Sequence, residues 1–175
     1  MRMNENKEFP NDLKKAIHEQ ALKIKDILIG RGEMMATAES CTGGQISHLL
    51  TTVSGSSEYY LGSVTSYAIS VKEKILGVPA ETIETFNVVS SEVAAAMAEG
   101  VRQITGSTYA VSTTGLAEGS DGRYPEGTVW IGVTGPRGTM TRIYQCNYGR
   151  KSNIRHFACF ALRFLYDYIV NDSIN

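Results

Sequence analysis

Several things are missing from this 175-residue chain, and each absence closes a route. Cysteine is limited to Cys41, Cys146 and Cys159, an odd number without paired spacing. That excludes a disulfide framework and a cysteine zinc site, and it fits reduced thiols. No apolar run approaches the roughly 18 residues a transmembrane helix needs, so no membrane association is expected. Charge of one sign is also lacking: the net charge of -1 gives no electrostatic reason to invoke nucleic acid. The polar opening, residues 1–8, has no apolar stretch of the signal-peptide kind. Residues 1–10 are therefore expected to form a loose tail and residues 11–175 one domain of a cytoplasmic protein.

Motifs are missing too. There is no phosphate-binding P-loop, no Gly-x-Gly-x-x-Gly and no Gly-x-Ser-x-Gly elbow. The three histidines, His18, His48 and His156, stand beside no carboxylate in a triad order. No metal ligand set is visible, and no cofactor is expected.

What is present is a segment of small polar residues, Thr37-Ala38-Glu39-Ser40-Cys41-Thr42-Gly43-Gly44. Residues 34–37 lead into it as a short strand, and 45–53 leave it as an amphipathic helix carrying Ile46, Leu49 and Leu50. A strand, tight turn and helix start present unpaired N–H groups and a positive dipole end, which suit a phosphate, a carboxylate or an oxyanion. Gly43 and Gly44 allow close backbone approach.

The remaining elements follow from periodicity and punctuation. Residue 11 or 12 caps a helix that runs to Gly30; 59–69 has strand composition; 72–76 and 80–86 are short helices. Ser90 or Ser91 caps the clearest helix, 92–104, ended by Gly106. A strand at 109–113 runs into a second small-residue turn, Thr113-Thr114-Gly115, and 117–127 is a loop. Residues 128–134 and 139–146 alternate as a hairpin, and 153–170 is a long helix. Helices around strands, one pair of them a hairpin, predict an α/β fold: a three-layer α/β/α sandwich on a mixed sheet. Ligands in such sheets bind where strands end and helices begin, so the two small-residue turns should face one cleft.

Ser40 is the nucleophile candidate, with donors just after it for an oxyanion. The plainer reading is a helix N-cap. Cys41 is either a thiolate or an inert buried thiol. A serine needs a base, and a desolvated lysine can serve, which draws attention to Lys72 and to Tyr67. Glu39 either orders the site or caps a neighbouring N–H. Arg137, Arg142, Arg150, Lys151 and Arg155 are the basic residues available for a phosphate.

These residues resemble a known family. Ala38 to Gly44, Ser54-Gly55-Ser56-Ser57, Tyr67 with Lys72, Leu76-Gly77-Val78, Val89-Ser90 with Glu92-Val93-Ala94 and Met97-Ala98, Thr114-Gly115-Leu116-Ala117 and Gly127-Thr128-Val129-Trp130 occur in the order found in the CinA C-terminal domain family. The resemblance implies a homo-oligomeric enzyme that deamidates nicotinamide mononucleotide to the nicotinate mononucleotide and ammonia. It makes Ser40 the nucleophile and Lys72 the base, with Tyr67 assisting. Glu39, Cys41, Thr42, Gly43, Gly44, Thr114, Gly115 and Arg155 become substrate-binding residues. The chain departs from the pattern at Glu118-Gly119, where Gly-Pro is usual, at Ile69 for an Asn, and at Arg150-Lys151 for an Asp-Arg pair. Two alternatives stay open: a catalytically degenerate nucleotide-binding module, or a hydrolase of a different amide.

Overall fold

A computed structural model describes residues 13–171; the loose tail and the cap at residue 11 or 12 fall outside the described residues. The chain runs α1 (Leu13–Arg31), β1 (Met35–Glu39), α2 (Gln45–Thr51), β2 (Tyr60–Thr65), α3 (Ile69–Lys74), α4 (Ala80–Phe86), α5 (Ser91–Thr105), β3 (Tyr109–Leu116), β4 (Thr128–Gly135), β5 (Gly138–Gln145) and α6 (Arg150–Asn171). A short 3-10 turn, Ser56–Glu58, precedes β2.

The strands form one sheet in the order β2-β1-β3-β4-β5. β1 pairs in parallel with both neighbours, while β3–β4 and β4–β5 are antiparallel. The sheet is mixed, as its hairpin implied. All five residues of β1 are buried, as a central parallel strand between two helical layers requires.

One layer, α1, α2 and α6, covers one face around Leu28, Ile46, Tyr109, Phe157 and Leu165. The other face is covered by α5, with α4 against it, around Ala36, Val93, Met97 and Val101. α5 comes very close because Gly132 lies beneath it: a Cβ there would meet the Ala94 carbonyl oxygen at 2.4 Å. Ser90 caps α5, accepting from the Val93 N–H at 3.2 Å, and Gly106 ends it in the left-handed region at φ 68°. The three-layer α/β/α sandwich is therefore present.

The second small-residue turn is not a turn. β3 continues through Thr113, Thr114 and Gly115 to Leu116, because β4 supplies an antiparallel partner for each of these residues. Gly115 serves packing, since a Cβ there would meet the Thr128 carbonyl oxygen at 2.4 Å. The strand expected to run to Ile69 ends instead at Thr65, and α3 begins at Ile69.

Candidate active site

Glu39, Thr65 and Thr113 stand level across the sheet, each paired through β1. Ser40 and Ser66 therefore emerge together at the carboxyl ends of β1 and β2, beside Thr113 of β3. Two further hydrogen bonds fix them: the Ser40 N–H donates to the Thr113 carbonyl at 3.1 Å and the Ser66 N–H to the Glu39 carbonyl at 2.8 Å. Topology alone thus sets Ser40 beside the chain that carries Lys72.

Glu39 holds the turn after β1. Its buried carboxylate accepts from Thr42 Oγ1 at 2.7 Å and from the N–H groups of Gly44, Ile46 and Ser47 at 3.1, 3.0 and 2.8 Å. A carboxylate at a helix start satisfies orphan N–H groups and favours the dipole. Gly44, at φ 95°, occupies the N-cap position of α2, where a side-chain cap is absent. Glu39 is thus the helix-ordering residue and does not line the cavity. Ser40 does not cap α2, so its hydroxyl is left for other chemistry.

Lys72 is fully buried, and its amine makes three contacts. Nζ lies 2.9 Å from Ser40 Oγ, 2.6 Å from the Ser66 carbonyl oxygen and 3.4 Å from that of Tyr67. In a neutral amine the two N–H bonds can donate to the carbonyls, which leaves the lone pair aimed at the serine hydroxyl. Burial pushes the Lys72 pKa below its ordinary 10.5, and the nearby Cys41 thiol opposes that shift. The environment therefore favours the form that can accept a proton.

Cys41 lies in the same wall with its thiol pushed up to about 12 by burial, against a smaller opposing effect of its hydrogen bond with Thr113. It is the inert buried thiol of the two alternatives. Thr42 donates to Glu39 and sits 2.8 Å from Thr113 Oγ1, and Thr114 Oγ1 donates to the Val88 carbonyl at 2.7 Å. Both hydroxyls are committed to the protein.

A cavity of about 250 Å³ opens over this floor. Ser40, Cys41, Lys72, Thr114 and Gly115 line it, together with Val88, Val89, Tyr67, Glu118 and Arg150. The two small-residue segments do face one cleft. Thr42, Gly43, Gly44 and Arg155 do not line it, and Arg155 is exposed on α6. The N–H of Gly43 donates to the Ser40 carbonyl at 3.1 Å and that of Gly44 to Glu39, so neither glycine offers its N–H to a ligand. Tyr67 is 65% exposed, and its hydroxyl lies 3.4 Å from Arg150 Nη2. Its main-chain oxygen, not its phenol, meets Lys72.

Sequence reasoning missed Ser66, whose carbonyl is the shortest partner of Lys72, and the Val88–Val89 wall. Main-chain acceptors leave no signature in side-chain identity.

Fold and site define an α/β protein with a buried serine–lysine pair at the carboxyl ends of parallel strands. The chain belongs to the CinA C-terminal domain family, whose model matches residues 17–169. A CinA-like protein of Salinibacter ruber is 48% identical over 141 residues, 79% of this chain and 34% of that protein. One from Desulfosudis oleivorans is 44% identical over 146 residues, 82% of this chain and 35% of that protein. The chain thus spans about a third of the length of these relatives. Among solved structures, the competence/damage-inducible protein of Agrobacterium tumefaciens matches with TM-score 0.82 and 31% identity, covering 94% of this chain and 97% of that one. The competence damage-inducible protein A of Klebsiella pneumoniae matches with TM-score 0.85 and 28% identity, covering 88% and 97%.

Proposed function

We propose that this protein is an amidohydrolase that converts nicotinamide mononucleotide to nicotinate mononucleotide and ammonia by a serine–lysine mechanism. The observation that carries it is the fully buried Lys72 amine 2.9 Å from Ser40 Oγ, inside a cavity and free of any helix-capping duty for the serine. The choice of substrate rests on the family and on the motifs Ala38 to Gly44 and Thr114 to Ala117.

Ser40 Oγ attacks the carboxamide carbon while its proton passes to the neutral Lys72 amine. The tetrahedral oxyanion develops at the Cys41 end of the turn, since the N–H groups of Gly43 and Gly44 are taken and Thr42 lies outside the cavity wall. Collapse breaks the C–N bond, and the Lys72 ammonium returns the proton to the leaving nitrogen, so ammonia departs. Water then gives a proton to Lys72 and attacks the ester; Ser40 recovers that proton as the acid leaves, and the acid loses its own proton to solvent to become the carboxylate. Tyr67 acts at the mouth instead of assisting the proton transfer, because its hydroxyl meets Arg150.

The test is ammonia release from nicotinamide mononucleotide by the purified protein, with Ser40→Ala and Lys72→Ala alongside. Activity in the parent and its loss in both variants is the expected result. A second reading, a nucleotide-binding module without turnover, is favoured by the charged pair Glu118–Arg150 in the cavity wall. A folded parent that binds the mononucleotide but releases no ammonia would select it.

A further inference from the structure

Glu118 and Arg150 come from separate elements, the loop leaving β3 and the first residue of α6, yet both line the cavity that holds Ser40 and Lys72. Arg150 Nη1 lies 2.9 Å from Glu118 Oε1, and Nη2 lies 3.4 Å from the Tyr67 hydroxyl. One guanidinium therefore ties the β3–β4 loop to the connection between β2 and α3. Among the described residues, Lys72 and Arg150 are the two cations lining this cavity. The Lys72 amine is taken up by Ser40 and two carbonyls, so Arg150 is the cation left to meet an anionic group.

The pair is built to be exchanged. The side chains are 45% and 60% exposed, and ion pairs this open to water hold weakly. A planar guanidinium accepts a phosphate through two parallel N–H donors, a geometry that a single carboxylate oxygen at Nη1 does not fill. Glu118 can swing into solvent without leaving a buried charge behind.

Building on the amidohydrolase reading, we propose that Arg150 is the specificity residue that receives the phosphate monoester of the substrate, and that Glu118 is its internal competitor. In the free protein Glu118 occupies the guanidinium. The ligand's phosphate displaces it, while the carboxamide lies over Ser40.

The experiment compares two probes that share the carboxamide and differ in the phosphate: nicotinamide mononucleotide and nicotinamide riboside. Binding is measured by calorimetry, and KM and kcat by ammonia release, for the parent, Arg150→Gln and Glu118→Gln. Thermal melting confirms that each variant is folded. Arg150→Gln should weaken mononucleotide binding about tenfold, the loss expected for a charge-assisted contact, and leave the riboside unchanged. KM should carry the loss, with kcat held within about twofold. Glu118→Gln should tighten the mononucleotide about two- to fivefold, as removal of a weak exposed competitor implies. Equal effects on both probes, or a Glu118→Gln variant that binds more weakly, would overturn the proposal. If the parent releases ammonia and Arg150→Gln matches its KM, the anchor is wrong and the hydrolase stands. If the parent binds the mononucleotide through Arg150 without turnover, the hydrolase reading is wrong and the anchor stands. Absence of mononucleotide binding by the parent would refute both.

Discussion

Replacing Glu39 should damage stability and chemistry together. Its carboxylate receives four donors between 2.7 and 3.1 Å: Thr42 Oγ1 and the N–H groups of Gly44, Ile46 and Ser47. A donor left unsatisfied by removal of its partner costs about 1–3 kcal/mol. Water can reach part of this turn, so we take about 1 kcal/mol for each, or about 4 kcal/mol in all for Glu39→Ala. For a domain of this size each kcal/mol lowers Tm by roughly 2–4 °C, so Tm should fall by about 8–16 °C. Glu39→Gln is the sharper probe. It keeps one acceptor oxygen for Gly44 and Ile46 and sets an NH₂ group against the Ser47 N–H. About half the loss is expected, or roughly 4–8 °C. Calorimetric melting at neutral pH reads both variants. A Glu39→Gln protein melting within about 1 °C of the parent would refute the claim that this carboxylate holds the turn.

Three further outcomes follow from other residues. Burial lowers the Lys72 pKa, so on the proposed mechanism amide hydrolysis should rise with pH and level off below the ordinary 10.5, which a pH–rate profile tests. Between the lowered value and 10.5 the unfolded chain carries a proton that the folded chain does not. Stability is therefore gained as pH rises through that window and lost as it falls, and denaturant midpoints for Lys72→Met should lose this slope. Cys41, with its thiol near 12, should resist alkylation by iodoacetamide at pH 8 in folded protein; labelling as fast as in the unfolded chain would contradict its burial. Gly132→Ala places a methyl 2.4 Å from the Ala94 carbonyl oxygen, and Tm should drop by roughly 2–12 °C as α5 is forced off the sheet.

The elements with strong local signals were legible. Helix α5, with its Ser90 cap and Gly106 stop, and the β4–β5 hairpin lie within a residue or two of their expected ends. Signals of small residues were ambiguous. Thr113-Thr114-Gly115 has the composition of a turn, and only pairing with β4, a nonlocal event, keeps it in a strand. Ser40 and Lys72 were both visible as chemical types, and the structure brings them together; Gly43, Gly44 and Arg155 were chosen from motif position and lie outside the cavity wall. Position in a motif does not say which way an N–H points. Glu118 and Arg150 stood out separately as departures from the family pattern. That each is the other's partner, 32 positions apart in the chain, could be seen only in three dimensions.

The placement of β2 has a consequence for how the protein ages and heats. β2 is an edge strand, held in the sheet on one side by β1, and it leads directly into the connection and short helix that carry Lys72. Edge elements open locally at lower free energy than the strands within a sheet. Detachment of β2 would withdraw the amine from Ser40 while β1, β3 and β4 stayed paired. The Ser40–Lys72 contact then depends on one sub-global unit, and its loss on warming should run ahead of loss of the sheet, with the amide hydrogens of 60–65 exchanging before those of 35–39.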